Sequence, residues 1–351
     1  MVAAAAGQVD ARVARGGTGD ADPAGTYDVV VVGGGVAGLA AALTSARALR
    51  STLVVDAGQP RNAPAHGVHG FLGREGVPPL ELVATGRAEV EAYGGRVVTG
   101  TAASARRLDG AEVPGAARFE VALEDGRTVR ARRLVVTTGV GDDLPDVPGL
   151  AERWVRDLLH CPFCHGREVA DEVVGVLSTS AHGAEQALMW RGWSDRVVYL
   201  QHTGPSPSEE VAERLAARDV ERVEGQVVGT EVDDDRLTGV RLADGRVVRL
   251  GALVTMTQVV VRGGGVLEGL GLRPEPLLGP GGMVLGEHVP ADPMGATTVP
   301  GLYLAGNLTA PMAPVPLAAS GGMMVGSLAV RDLVADDTDA AVAARRERVP
   351  A

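Results

Sequence analysis

The sequence predicts an α/β protein made of two successive nucleotide-fold patterns. Three observations predict it. Short, nearly all-apolar runs at Tyr27 to Val32, Thr52 to Val55, Leu134 to Gly139, Val173 to Leu177 and Arg196 to Leu200 read as buried parallel strands. Helical patterns separate them, once in the first third of the chain and again after residue 173. A glycine-rich turn, Gly33 to Gly38, joins the first strand to the first helix.

The composition bounds what such a chain does. With 351 residues there is room for two domains and ample core. A formal net charge of −11, with every positive side chain an arginine, argues against a nucleic-acid partner. No apolar run approaches the ~20 residues that span a bilayer, so no membrane partner is expected. The first 26 residues are rich in Ala, Gly, Arg and Asp and read as disordered rather than as a secretory signal. A cytoplasmic enzyme is the default expectation.

In chain order, Tyr27 to Val32 runs into Gly33-Gly34-Gly35-Val36-Ala37-Gly38 and then an Ala-rich helix, Leu39 to Leu49. Gly33, Gly35 and Gly38 fill the three positions of G-x-G-x-x-G. They serve a tight turn, close approach of backbone to a pyrophosphate, and close packing of helix on strand. The next strand ends at Asp56, an acid placed for a ribose diol. Arg61 to Gly76, rich in Gly, His and Pro, reads as an irregular segment over the cofactor. Pro79 to Tyr93 has helical spacing, Arg96 to Val98 is a short strand, and Phe119 to Leu123 and Thr128 to Arg132 flank an Asp125-Gly126 hairpin turn. Leu134 to Gly139 is another buried strand, and Leu144 to Gly149 a Pro-rich linker.

The second pattern places strands at Val173 to Leu177 and Arg196 to Leu200 and helices at Gly183 to Trp190 and Glu209 to Arg218. Its first loop, Ser178-Thr179-Ser180-Ala181-His182-Gly183, has side chains where a nucleotide site needs glycines, and each Cβ keeps backbone N–H groups from a pyrophosphate. After the next strand, Gln201 to Pro205 lacks the arginine that a 2′-phosphate would want. This unit keeps the fold and has lost the nicotinamide site. Gly301 to Asn307 is a late strand ending in a small-residue turn, followed by a Gly/Ala/Met helix from about Leu317 to Val334.

Both cysteines of the chain, Cys161 and Cys164, sit in His160-Cys161-Pro162-Phe163-Cys164-His165-Gly166. Two thiols three residues apart at a helix start suit a reversible redox pair, because exposed N–H groups favour a thiolate. A structural zinc site would need two further soft ligands, and the remaining histidines show no partner spacing; no metal is expected. Two inert buried cysteines are the remaining reading.

Together these pieces resemble the thioredoxin reductase family of two-domain flavoproteins, over residues 27 to about 335. The resemblance implies an FAD-binding domain at 27–148 and 251–335, split by a smaller unit at 149–250 that carries the C-x-x-C. An extension at 1–26 and a flexible tail at 336–351 complete it. The implied cofactor contacts are Gly33, Gly35, Val36, Ala37 and Gly38 in the first turn, and Asp56, Ala57, Arg61 and Asn62 after the second strand. Thr138, Gly139, Gly306 and Asn307 complete the set. Asn307 stands where the family has Asp, and Pro314-Val315-Pro316 where relatives carry polar residues near the flavin ring. His165 replaces the family's Asp after the second cysteine. That C-x-x-C-H-G form is similar to the branch of thioredoxin-reductase-like dithiol oxidases that close disulfides in small molecules such as gliotoxin, holomycin and romidepsin, which lacks the NADPH motifs.

The resemblance implies an FAD-dependent dithiol oxidase acting on a small-molecule dithiol, with oxygen as acceptor and a homodimer as assembly. Cys161, Cys164, His165 and His160 are its catalytic candidates. An imidazole near pKa 6.5 accepts a substrate thiol proton more readily than an ordinary Asp does. The competing readings are a disulfide reductase fed by NAD(P)H or ferredoxin, and a catalytically silent flavin-binding scaffold.

Overall fold

Strand and helix alternate as the hydrophobic pattern demands, and the computed structural model describes residues 25–110 and 112–348. They fall into two units. Residues 25–61, 80–141 and 260–348 make the first, and residues 62–79 and 142–259 the second. Residues 1–24, most of the expected N-terminal extension, lie outside the described residues.

The first unit opens with β1 (Thr26–Val32), α1 (Val36–Arg47) and β2 (Thr52–Asp56), followed by α2 (Pro79–Ala92), β3 (Arg96–Thr99), β4 (Ala102–Arg107), β5 (Phe119–Leu123) and β6 (Thr128–Val136). β1 pairs in parallel with β2 on one side and β6 on the other, β2 with β3, and β4-β5-β6 run antiparallel. β6 does double duty. Its first half pairs with β5 and its second half with β19 (Leu302–Leu304). The sequence reading divides this strand in two, at Thr128 to Arg132 and Leu134 to Gly139, because Arg132-Arg133 breaks the apolar pattern. The strand runs unbroken because Arg133, though fully buried, is held by Asp332 at 2.6 Å.

Alternation along β1 shows how the sheet is covered. Val29 and Val31 face a cluster with Leu39, Ala41 and Ala42 of α1, Val90 of α2, and Val325, Ala329 and Leu333 of α7 (Val315–Arg348). Val30 and Val32 face the opposite cluster, with Phe119, Leu134 and the helix α6 (Gly264–Gly269). α7 packs closely on α1 through small residues. A β-carbon on Gly322 would lie 1.9 Å from the Ala37 carbonyl oxygen, and one on Gly326 2.6 Å from that of Ala41.

α7 is longer than expected. The helix continues past Val334 to Arg348, so the tail expected at 336–351 is helical as far as it is described. Asp336 and Asp337 hold that stretch, pairing with Arg132, while Asp336 also takes Arg118 and Asp337 takes Arg50. α7 is also long and apolar enough, by length and composition, to cross a membrane, against the sequence reading. Ala318, Gly322, Val325, Gly326, Ala329 and Leu333 are nevertheless buried within the unit, the pattern of a core helix.

The second unit is built on a five-stranded parallel sheet in the order β11-β10-β9-β15-β8. These are β8 (Leu158–Leu159), β9 (Val174–Leu177), β10 (Val197–Leu200), β11 (Glu221–Val223) and β15 (Ala252–Thr255). α4 (Gly183–Trp190) and α5 (Glu209–Ala217) follow β9 and β10, and α3 (Pro162–His165) follows β8. An antiparallel meander, β12 (Val227–Asp233), β13 (Arg236–Leu242) and β14 (Val247–Arg249), packs Val227, Leu237, Val240 and Leu242 into the same core. The chain passes between units within β7 (Val140–Asp143) and again within β16 (Gln258–Val261). These two strands are neighbours in one small sheet with β17 (Glu275–Leu278) and β18 (Val284–His288).

Candidate active site

The first unit carries a cradle. Gly33 has φ 102°, and a β-carbon there would lie 2.5 Å from the Thr137 carbonyl oxygen. One on Gly38 would lie 1.8 Å from the Gly33 carbonyl oxygen, whereas one on Gly35 meets nothing within 4 Å. Two glycines thus hold the turn tight and the third leaves its outer side open. Gly35 is the N-cap of α1, no side chain caps it, and the first turn has no acidic residue. The N–H groups at this start, including those of Val36 and Ala37, are suited to an anionic group. These residues fit a dinucleotide pyrophosphate.

Asp56 closes the cradle from β2. It accepts from the Gly34 N–H and the Gly58 N–H, each at 3.1 Å, across Ala57, and from Arg87 at 3.2 Å. The expected ribose contact therefore shares a carboxylate that already orders the turn. Thr137 donates to the Gly33 carbonyl and Thr138 to the Arg262 carbonyl, while Gly139 has φ 68°. Arg61 donates to the Pro311 carbonyl at 3.0 Å. Gly306 has φ 76°, and a β-carbon there would lie 2.8 Å from that of Ala37. The Asn307 amide nitrogen is spent on the carbonyls of Ala310, Pro311 and Ala313. Its oxygen, rather than its N–H, is left for a cofactor. Asn62 opens the segment that belongs to the second unit, so it is the one expected cofactor residue not grouped with the cradle.

The corresponding turn of the second unit is closed on itself. Ser178 is fully buried, donates to the Ser180 carbonyl and accepts from the Tyr199 hydroxyl. A β-carbon on either Gly183 or Gly204 would strike its Oγ, at 2.2 and 2.3 Å. The Gly183 N–H that would face a phosphate donates instead to the Ser180 carbonyl. His202, in the left-handed region at φ 46°, accepts from the Val227 N–H, and burial holds its imidazole below the usual range.

The dithiol motif lies at the end of β8. Cys161 is the extended N-cap of α3, Pro162 occupies the first helical turn, and Cys161 and Cys164 are joined as a disulfide with Cα atoms 5.3 Å apart. Gly166 is needed after His165, since a β-carbon would lie 2.5 Å from both the Pro162 carbonyl oxygen and the Trp193 ring. Phe163 stands 75% exposed, edge-on to Trp193. His160 stacks on Trp154 at 5.5 Å. His165 differs from both: its two ring nitrogens are buried without a hydrogen-bond partner among the described residues. Desolvation holds it below the usual histidine range; the nearby Glu168 carboxylate opposes this, and the neighbouring His69 and His66 add to it.

His66 and His69 lie in Arg61 to Gly76, the segment the sequence reading lays over the cofactor; residues 62–79 group with the unit that holds the disulfide. The loop is closed by Val68 and Val77 backbone bonds and by Glu75, which lies 2.7 Å from His69 Nδ1 and accepts from the Gly70 N–H. On the other side of the His69 ring, Nε2 is 3.6 Å from Glu168. The sequence reading gave Glu75 and Glu168 no role; the spacing of Glu168 three residues after His165 is the one signal that could have found it.

An open phosphate cradle in one nucleotide-fold unit and a helix-start disulfide in another define a disulfide oxidoreductase of two-domain type. The chain belongs to the pyridine nucleotide-disulphide oxidoreductase family, whose model matches residues 27–331. Members of its thioredoxin-reductase-like group are FAD-binding flavoproteins, and FAD is the cofactor of this enzyme. Thioredoxin reductase tcpT of Claviceps purpurea is 30% identical over 321 residues, which cover 88% of this chain and 95% of that protein. The crystal structure of HlmI superposes with a TM-score of 0.82 at 40% identity, covering 95% of this chain and all of that one. An oxidoreductase from Agrobacterium tumefaciens gives 0.79 at 34% identity, over 88% and 99% of the two chains.

Proposed function

We propose that the enzyme is a dithiol oxidase that closes a disulfide in a small-molecule dithiol, independently of NADPH, with oxygen as the final acceptor. The observation that carries this reading is His165, a buried imidazole with both nitrogens unpartnered among the described residues, next in the chain to Cys164 of the Cys161–Cys164 disulfide. Kept below the usual range by burial, its ring is in the unprotonated form that a proton acceptor needs. The self-closed turn at Ser178 to Gly183 supports independence from NADPH.

In this reading His165 takes the proton of one substrate thiol, and the thiolate attacks Cys161 Sγ. The Cys161–Cys164 bond breaks and Cys164 leaves as a thiolate. The second substrate thiolate attacks the substrate sulfur of the mixed disulfide, which forms the product S–S bond and releases Cys161. His160, fixed on Trp154, is the second imidazole beside the motif. Gly33, Gly35, Gly38 and Asp56 hold FAD, which supplies the two-electron acceptor for the reduced pair and the route to oxygen. The balance is one dithiol and one oxygen consumed, one disulfide and one hydrogen peroxide formed. A homodimer in a reducing, cytoplasmic setting accompanies this reading.

Anaerobic absorbance of the purified flavoprotein tests it, with NADPH added first and a small dithiol second. Bleaching by dithiol alone, reversed by air with peroxide release, is the expected result. Bleaching by NADPH would replace this reading with the reductase that the name of the Claviceps purpurea relative carries.

A further inference from the structure

The packed face of α2 holds an arginine where its pattern calls for an apolar side chain. Val83, Arg87 and Val90 fall at i, i+4 and i+7, one stripe of the helix, and Val83 and Val90 join the core cluster of Val29, Val54 and Leu39. Beside this stripe α2 lies against α1, since a β-carbon on Gly86 would be 3.1 Å from Leu39 Cδ1. A charge in such a place is costly unless it is paired. Its partner is Asp56 at the end of β2, whose Oδ2 lies 3.2 Å from Arg87 Nη2. Among the described residues Asp56 is the one hydrogen-bond partner of Arg87, and Arg87 Nε is buried without any. Asp56 Oδ1 already accepts from the Gly34 and Gly58 N–H groups. The oxygen left for a ribose is therefore the one that Arg87 holds. Exposure divides the pair unequally, with the Asp56 side chain 11% exposed and that of Arg87 30%. A ligand that reaches the carboxylate meets the guanidinium as well.

We infer that Arg87 is a further cofactor-binding residue, whose guanidinium donates to an adenosine ribose hydroxyl of FAD while it holds the Asp56 carboxylate that accepts from the same diol. A hydroxyl is donor and acceptor at once, a carboxylate only accepts, and a guanidinium only donates. The two side chains together satisfy both halves of a ribose diol, and either alone satisfies one. The planar fork of arginine suits the task, because one N–H can stay on Asp56 while others face the ligand. Arg87 also balances a negative charge that would otherwise face the cofactor diphosphate unopposed. A lone arginine at this place would favour a ribose 2′-phosphate; Asp56 beside it repels that group, so the pair reads hydroxyls. The role is the same whether the enzyme oxidises dithiols or reduces disulfides.

The Arg87–Asp56 pair also ties α2 to β2, so the test must separate ligand contact from scaffold. Arg87→Leu completes the apolar stripe and removes the donor. The full chain, stripped of flavin, is titrated calorimetrically with ADP, the adenosine half of the cofactor, and with 2′-deoxy-ADP, which lacks one hydroxyl of the diol. The parent is expected to prefer ADP by about tenfold, the worth of a hydrogen bond to a charged group. Arg87→Leu should bind ADP about tenfold more weakly and lose most of that preference. Its FAD-loaded form should also release flavin faster on dilution, read as the rise of flavin fluorescence. A preference that the substitution leaves unchanged, a parent with no preference, or ADP binding within twofold of the parent makes Arg87 a tie between α2 and β2 and overturns the inference. Should Arg87→Leu fail to fold, Arg87→Gln carries the same expectation and the same refutation.

Discussion

Gly38 and Gly33 approach so closely that a β-carbon on Gly38 would lie 1.8 Å from the Gly33 carbonyl oxygen and 2.7 Å from Thr137 Oγ1. One obstacle is backbone of the turn itself and the other is the Thr137 hydroxyl, held at the end of β6 by its bonds to the Val32 and Gly33 carbonyls, so neither can move aside cheaply. Gly38→Ala should therefore purify with less than a tenth of the flavin of the parent, read as the 450 to 280 nm absorbance ratio. Gly35→Ala, where a β-carbon meets no protein atom, should fold normally and weaken FAD retention alone.

Serine at either position 161 or 164 removes the disulfide without touching the cradle. Each variant should stay yellow and lose dithiol-dependent peroxide formation by a factor of 1,000 or more, on the order expected when a covalent route is closed. Oxygen uptake with a small dithiol checks it; substantial activity in both variants would rule out the disulfide route.

Burial lowers the pKa of His165, which fixes the sign of two pH dependences. The neutral ring persists below the ordinary histidine pKa, so anaerobic flavin reduction should hold its rate as pH falls through 6.5 and drop only on further acidification. His165→Gln should remove that acid limb and slow reduction by about 10²–10⁴-fold at pH 7. For stability, the unfolded chain binds the proton first. His165 therefore contributes no pH-dependent loss above the unfolded pKa of about 6.5, and progressive loss below it until its folded pKa is passed. Urea midpoints of parent and His165→Gln across this range would show the difference.

Arg133 is fully buried in β6, with Asp332 at 2.6 Å and Asp336 at 3.5 Å, and the Tyr303 hydroxyl donates to the same Asp332 carboxylate. Replacing it by Met leaves acids gathered without one of their cations. The change should cost about 3–5 kcal/mol, seen as a lowered thermal midpoint, whereas Arg133→Met with Asp332→Leu should recover part of the loss.

The glycines of the first turn were legible because each has a steric reason that survives without coordinates, and α1 and β2 followed from their apolar pattern. The self-closed turn of the second unit was legible for the same reason: Ser178 stands where a β-carbon matters. β6 was misdivided because a buried arginine looks like a break until Asp332, nearly 200 residues away in sequence, is placed beside it. α7 was cut short because Asp336 and Asp337 read as solvated until their arginines are known. The same limit hid the carboxylates around His69. His69 and Glu168 lie 99 positions apart, and no local pattern links a Gly/His/Pro loop to the residue three past a dithiol motif.

The packing of α1 on α7 has a consequence for biosynthesis. α1 emerges early from the ribosome, yet the glycine stripe of α7 that its backbone rests on is encoded about 280 residues later. At ~5–20 residues per second the first helix waits roughly 15–60 s for its partner. Throughout that interval the side of α1 that α7 covers, at Ala37 and Ala41, has no partner from its own chain, and the cradle cannot be finished before translation nearly ends. Flavin loading is thereby a late event, and a stop codon anywhere before Gly322 should release a chain that chaperones must hold rather than a smaller flavoprotein.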